Sequence, residues 1–150
     1  MNNPSNVEIA DRLSRRRARM LPMLAIIFIS QQASYFSGRI EDGTRTVDHV
    51  KIGAWLVLSI VMLLALTTGG FWFRPKEVRA LLDDDVTRAN RADALRIGFL
   101  VTMAGAIALY FVNAFEPMGA RDAIHILMSF GIVAALLRFG YLERRAHRDG

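Results

Sequence analysis

Charged residues are absent from three long stretches of the chain and nearly absent from a fourth. Residues 20–37, 52–73 and 97–115 contain no Asp, Glu, Lys or Arg, and residues 123–142 contain only Arg138. Each stretch approaches the ~20 predominantly apolar residues that an α-helix needs to cross a bilayer. The pattern predicts an all-α, polytopic membrane protein: one domain over residues 1–150, an antiparallel bundle of four transmembrane helices at about residues 20–38, 52–73, 97–115 and 123–142.

The ends of the stretches carry signals for how they begin and stop. Pro22 suits the first turn of the first helix, where its missing N–H has no partner to lose. Asp42-Gly43 favours a turn before the second helix, and Glu116-Pro117 ends the third. The basic and then apolar N-terminus is similar to a secretory signal, but no small-residue cleavage pattern follows, so we expect it to be retained as a span.

The segment between the second and third stretches, residues 74–96, is predicted to be helical in part. Residues 76–82 have a helical pattern, and the three aspartates that follow are candidate N-caps with favourable charge for a helix start. No breaker interrupts the sequence from residue 86 to residue 115. We therefore expect one long helix that begins outside the membrane and continues through the third span.

Basic residues are distributed unevenly around the four stretches. Of the 19 Lys and Arg residues, all but four lie before the first stretch, within residues 74–96, or from Arg138 to the C-terminus. The four exceptions are Arg39, Arg45, Lys51 and Arg121. The positive-inside rule therefore places both termini and the middle loop in the cytoplasm. The net charge of +5 is explained as an orientation signal, and we expect no direct binding of nucleic acid.

Composition narrows the chemistry further. The chain has no cysteine, which excludes disulfide chemistry, thiol redox relays and Cys-ligated metal sites. His125 is the one histidine well inside a predicted span, whereas a b-type haem needs an axial pair. No Walker, Rossmann, HExxH or GxSxG pattern occurs, and a solvated helix cap explains the three aspartates better than a cation site. We expect neither an enzyme nor a cofactor.

Polar side chains within the predicted spans concentrate in the outer half of the bilayer. Unpaired polar groups are expensive in hydrocarbon, so such residues either bond between helices or form a functional site. Asp122, His125 and Ser129 share one helical face by their spacing. If the cluster binds a small molecule or a lipid, the candidate ligand-binding residues are Gln31, Gln32, Tyr35, Tyr110, Asn113 and His125.

Small residues four positions apart predict close helix contacts. Such pairs occur at Ala104 and Ala108 and at Gly131 and Ala135. The contacts can lie within a chain or between chains. Because two-fold symmetric dimers are the commonest oligomers, we expect a homodimer.

The most distinctive stretch is LLDDDVTRANRADALRIGF, residues 81–99. It resembles small four-span bacterial inner-membrane proteins of unassigned function, which carry an acidic patch followed by T-x-A-N/H-R before the third span. QQASYF near the N-terminus and LLRFGYLERRA near the C-terminus are similar to such proteins as well. The matching residues of the motif are Asp83, Asp84, Asp85, Thr87, Asn90 and Arg91.

Proteins of this kind are often encoded beside a small helix-turn-helix regulator of the Cro/repressor type. The resemblance therefore implies a multi-pass protein of the bacterial inner (cytoplasmic) membrane that holds or releases a transcription regulator through residues 75–96. Arginines near the membrane surface in this segment either contact lipid headgroups or contribute to docking. The expected partner-binding residues are Asp83, Asp84, Asp85, Thr87, Arg88, Asn90 and Arg91.

The alternative function is a small-molecule or lipid-binding membrane protein, or an accessory transport subunit, that uses the outer polar cluster. The continuous third helix would connect that cluster to the cytoplasmic segment. A ligand that favours one helix packing would then shift docking by its differential affinity for the two packings. His125 would add a response to pH, since imidazole titrates near neutrality.

Overall fold

A computed structural model describes residues 6–37, 46–70 and 82–149, apart from the side chains of residues 6, 34–37, 46–49 and 149. The described part is all-helical and contains α1 (Asn6–Ser37), α2 (Thr46–Thr68), α3 (Asp85–Phe115) and α4 (Ala120–Asp149). The turn predicted at Asp42-Gly43 and nearly all of the helix predicted over residues 76–82 fall outside the described residues.

Three of these helices are long and apolar enough to cross a membrane: α2 from Val50 to Thr68, α3, and α4. Their large apolar side chains do not all point inward. On α3, for example, Phe99, Ile107 and Phe111 are each 62% exposed, a distribution that suits hydrocarbon and would be unfavourable in water. Of the four predicted spans, the second, third and fourth thus lie in helices long and apolar enough to cross a membrane, and the first span, at about residues 20–38 within α1, stays a prediction.

Helix α4 lies at the centre of the bundle and contacts each of the other three helices, most extensively α1 and α3. Helices α1 and α4 run antiparallel. Residue 17 of α1 meets residue 143 of α4, while residue 32 meets residue 125. The fully buried side chains Phe28, Leu66, Leu136 and Phe139 come from α1, α2 and α4, so the core lies along the α4 face that these helices share.

Helix α1 begins much earlier than the sequence pattern suggests. The prediction placed Pro22 in the first turn, but the helix starts at Asn6 and Pro22 lies inside it. Two features of α4 accommodate the proline. At Gly140, an added Cβ would lie 2.8 Å from Pro22 Cδ, so only glycine leaves room for the ring. Arg144 Nε donates to Ala18 O at 3.0 Å, the carbonyl whose helical donor Pro22 lacks.

The helix predicted to run continuously from residue 86 to residue 115 is confirmed by α3. Asp84 is its N-cap, with the carboxylate accepting from Thr87 N at 2.7 Å, and Glu116 is its C-cap. A short link through Pro117 then leads into α4, so α3 and α4 form the expected antiparallel hairpin.

The hairpin is packed through glycines. A Cβ added at Gly98 would lie 2.8 Å from Gly131 O and 3.0 Å from Ala135 Cβ, so the two backbones nearly touch. The small pair Gly131 and Ala135 therefore lies at a helix contact within the chain, which is the close approach that small residues permit.

Candidate functional site: polar clusters at the two ends of the bundle

At one end of the bundle, a buried ion pair joins α1 to α4. Arg17 and Glu143 are only 6% and 3% exposed. Arg17 Nε donates to Glu143 Oε2 at 3.0 Å, and the Arg17 NH2 group contacts the same oxygen. The guanidinium also lies 5.4 Å from the centre of the Phe139 ring. Two opposite charges are thus held together away from water.

Residues of α3 complete this cluster. Arg17 NH2 donates to Thr87 Oγ1 at 3.0 Å. The other carboxylate oxygen of Glu143 accepts from Asn90 Nδ2 at 3.2 Å and from Thr87 Oγ1 at 3.4 Å. We call Arg17, Thr87, Asn90 and Glu143 the inner network. Both carboxylate oxygens have donors, as a buried charge requires.

The C-terminal end of α2 lies close to the inner network. Gly69, with φ at +76°, follows the last turn of α2 in the left-handed region that favours glycine. A Cβ there would lie 3.3 Å from the Arg91 guanidinium and 3.7 Å from that of Arg17. Leu82 O accepts from Arg17 at 3.4 Å. The inner network therefore marks the point where all four helices converge.

The residues predicted to bind a partner separate into two groups. Thr87 and Asn90 belong to the inner network, and Arg91, which is largely buried, pairs with Asp83 at 3.0 Å. Asp84, Asp85 and Arg88 are exposed, with Asp85 and Arg88 paired at 2.8 Å. The second part of the motif, from Thr87 to Arg91, thus contributes the side chains that face the bundle, whereas the aspartates before it are exposed.

At the opposite end, a second cluster joins α1, α2 and α4. His125 Nε2 contacts Gln32 Oε1, and the Trp55 ring stacks on the imidazole with centroids 4.1 Å apart. Trp55 Nε1 donates to Ser129 Oγ at 3.4 Å, and Ser129 Oγ donates to His125 O at 2.6 Å. We call Gln32, Trp55, His125 and Ser129 the outer cluster. Its polar groups bond to one another, which favours a role in holding the helices together.

The structure brings together only some of the predicted ligand-binding residues. Gln32 and His125 meet in the outer cluster, and Gln31 is half-buried beside them in α1. Tyr110 is 79% exposed on the outside of α3. Asn113 is exposed too, and its Oδ1 accepts from Met118 N at 2.8 Å in the α3–α4 link. The side chain of Tyr35 lies outside the described residues.

Sequence reasoning missed the two charged residues at the centre of the inner network. Arg17 stands within a basic run that the positive-inside rule already explains, so nothing marked it as buried. Glu143 is the one carboxylate after the fourth apolar stretch until Asp149. A single acid among several arginines at a span boundary was the signal that could have indicated an ion pair.

Comparisons with protein-family models, with curated proteins and with solved structures find no match to this chain. The resemblance of residues 81–99 to small inner-membrane proteins stays a prediction.

Proposed function

We propose that this chain is a non-enzymatic regulatory protein of the bacterial inner membrane that captures a soluble transcription regulator at its cytoplasmic end. The observation that carries the proposal is the inner network. It fastens the first part of α1, the start of α3 and the end of α4 to one another beyond their apolar stretches. The result is a fixed set of helix ends on which a partner can dock without first ordering a loop.

Four spans and a cytoplasmic location for both termini are part of this proposal. Arg17 and Glu143 bring the two chain ends to the same end of the bundle, where most of the basic residues also lie. The positive-inside rule then favours the cytoplasm for that end. In α1, Ala25 and Phe28 are buried while Met23 and Ile26 are more than half exposed, as expected for a span with one face toward lipid.

The proposed docking surface consists of Asp84, Asp85, Val86 and Arg88 at the start of α3. All four side chains are exposed. The three charged residues suit the polar rim of an interface, and Val86 suits its apolar centre. Thr87, Asn90 and Arg91 hold this turn in place through the inner network and Asp83. The helix-turn-helix class of the partner is what the sequence resemblance implies.

A ligand site at the outer cluster is the weaker alternative. Gln32, His125 and Ser129 bond within the cluster, and Tyr110 and Asn113 lie away from it. Interhelical bonding accounts for these polar groups without a ligand.

Photo-crosslinking in membranes tests the docking proposal. A photoreactive residue at Arg88 should crosslink a soluble helix-turn-helix protein, whereas the same residue at Arg121, at the other end of the bundle, should not. Arg88→Glu should weaken capture at least about tenfold, because a negative charge would then face the partner group that Arg88 attracts. Arg121→Glu makes the same charge change and should leave capture intact. Equal capture by Arg88→Glu and wild type would contradict the proposed surface.

A further inference from the structure

A cavity of about 330 Å³ lies between the start of α1 and the end of α4. Its lining is almost entirely basic: Arg15, Ala18, Arg19, Arg144, His147 and Arg148. Asp11 pairs with Arg15 at 3.2 Å, which offsets one of the four guanidinium groups. We call this cavity the basic pocket; it lies on different helices from the proposed docking surface.

Two contacts hold the walls of the basic pocket together. Arg144 Nε donates to Ala18 O at 3.0 Å, which ties its guanidinium to α1. Farther out, Ser14 Oγ and His147 Nε2 lie 3.1 Å apart. The arginines are therefore presented from two helices that are fixed against each other, in contrast to a flexible basic tail.

Apolar side chains continue from the basic pocket along both helices. On α4, Leu137 and Tyr141 are exposed, and they share a helical face with Arg144 and Arg148 by their spacing. On α1, Met23 is 61% exposed and lies one turn beyond Arg19. The surface shared by α1 and α4 is therefore cationic at the basic pocket and apolar along the adjoining predicted spans.

We propose that the basic pocket binds the phosphate of an anionic phospholipid whose acyl chains lie along Met23, Leu137 and Tyr141. The planar guanidinium group donates two parallel hydrogen bonds to phosphate oxygens. Basic pockets between membrane helices bind anionic headgroups by this chemistry. The apolar track on both helices identifies a lipid as the source of the phosphate, because a free phosphate would need no such track. The site requires that α4 crosses the membrane with α1 packed beside it, whichever way the protein is oriented.

The test uses the full chain in nanodiscs made of equal parts phosphatidylglycerol and phosphatidylcholine, with retained lipids counted by native mass spectrometry. Wild type should retain phosphatidylglycerol in preference to phosphatidylcholine. Arg19→Gln with Arg148→Gln should reduce that preference roughly 30-fold, at about fivefold for each arginine near an anionic surface. The control, Arg96→Gln with Arg121→Gln, also removes two exposed arginines, but neither lines the basic pocket, so it should keep the wild-type preference.

An unchanged preference in the pocket variant, or an equal loss in the control, would overturn the proposal. Inorganic phosphate is the second arm: if it displaces phosphatidylglycerol from wild-type protein, the site is one for free phosphate and the lipid assignment is wrong. A third measurement needs no variant. Phosphatidylglycerol with a photoreactive acyl chain should label wild type near Met23, Leu137 or Tyr141, whereas even labelling of α2 and α3 would contradict the site.

Discussion

Burying Arg17 and Glu143 between helices removes two charges from water, at an effective cost of several kcal/mol for each ion. Their mutual attraction offsets this cost only because the remaining hydrogen-bonding positions are filled. Thr87 and Asn90 supply the donors that Glu143 needs beyond Arg17. The T-x-A-N-R residues thereby select one arrangement of α3 against α1 and α4, a role in specificity for which buried ion pairs are retained in some proteins.

Replacement of one partner of this pair should be severely destabilising. Arg17→Met leaves Glu143 as a buried, unpaired charge, and we expect the free energy of unfolding to fall by about 3–5 kcal/mol. Arg17→Met with Glu143→Met should lose less than the sum of the two single changes, because no charge is stranded. Chemical denaturation in detergent micelles, followed by circular dichroism, measures these differences.

The control for that cycle is the exposed ion pair one turn earlier. Arg15 and Asp11 are 62% and 54% exposed, and such pairs contribute roughly 0–1 kcal/mol. Arg15→Met should therefore be nearly neutral. If Arg17→Met costs no more than Arg15→Met, the inner network does not hold the helix ends together.

Local signals at the residue scale located the start and end of α3 but misplaced the start of α1, and they did not indicate which charges pair. Asp84 was one of three candidate caps, and the structure uses it as the N-cap. The pairing of Arg17 with Glu143 joins residues 126 positions apart, and no local pattern reports such a contact. The positive-inside rule had already explained Arg17, so its burial left no separate trace in the sequence.

At the scale of the helices, the close contact of α3 and α4 depends on glycine. Gly98 and Gly131 bring the two backbones together, and the inner network and the α3–α4 link then fix the two ends of the hairpin. A side chain at this crossing would push the helices apart, since the neighbour that a Cβ would meet is backbone.

Two matched substitutions test the crossing. Gly98→Ala places Cβ 2.8 Å from Gly131 O, and overpacking of this kind costs about 1–3 kcal/mol. Gly53→Ala puts the same methyl group on α2 where nothing lies within 4 Å, so the better helix propensity of alanine should stabilise by up to ~1 kcal/mol. Thermal unfolding should move in opposite directions for the two variants. A neutral Gly98→Ala would show that the helices can separate there.

Spacing along a helix correctly predicted which residues share a face, but it did not predict whether that face packs against another helix. Asp122, His125 and Ser129 share a face of α4 and are all buried. Tyr110 and Asn113, candidate ligand-binding residues three positions apart on α3, share a face by the same rule, yet both are exposed. Periodicity specifies which residues lie together on a helix, whereas the side that packs is decided by partners elsewhere in the chain, here Gly131 and Ala135.

For the whole molecule, the outward face of α3 is the proposed contact for a second copy. Ala104 and Ala108 are both exposed there and would let two helices approach closely. Wild type should therefore crosslink as a dimer within membranes, and Ala104→Leu with Ala108→Leu should remove most of that product. Ala54→Leu, at an exposed alanine of α2, is the control and should leave the dimer in place. An unchanged dimer in the double variant would rule out this face.

In the proposed topology, the inner network and the docking surface lie at the cytoplasmic end of a four-span bundle. Fusions of paired reporters, one active in the periplasm and one in the cytoplasm, test this topology at four points of the chain. Fusions after Gly43 and Gly119 should report the periplasm, and fusions after Asp84 and at the C-terminus should report the cytoplasm. A cytoplasmic signal after Gly43 would contradict this topology, because α1 would then not cross the membrane.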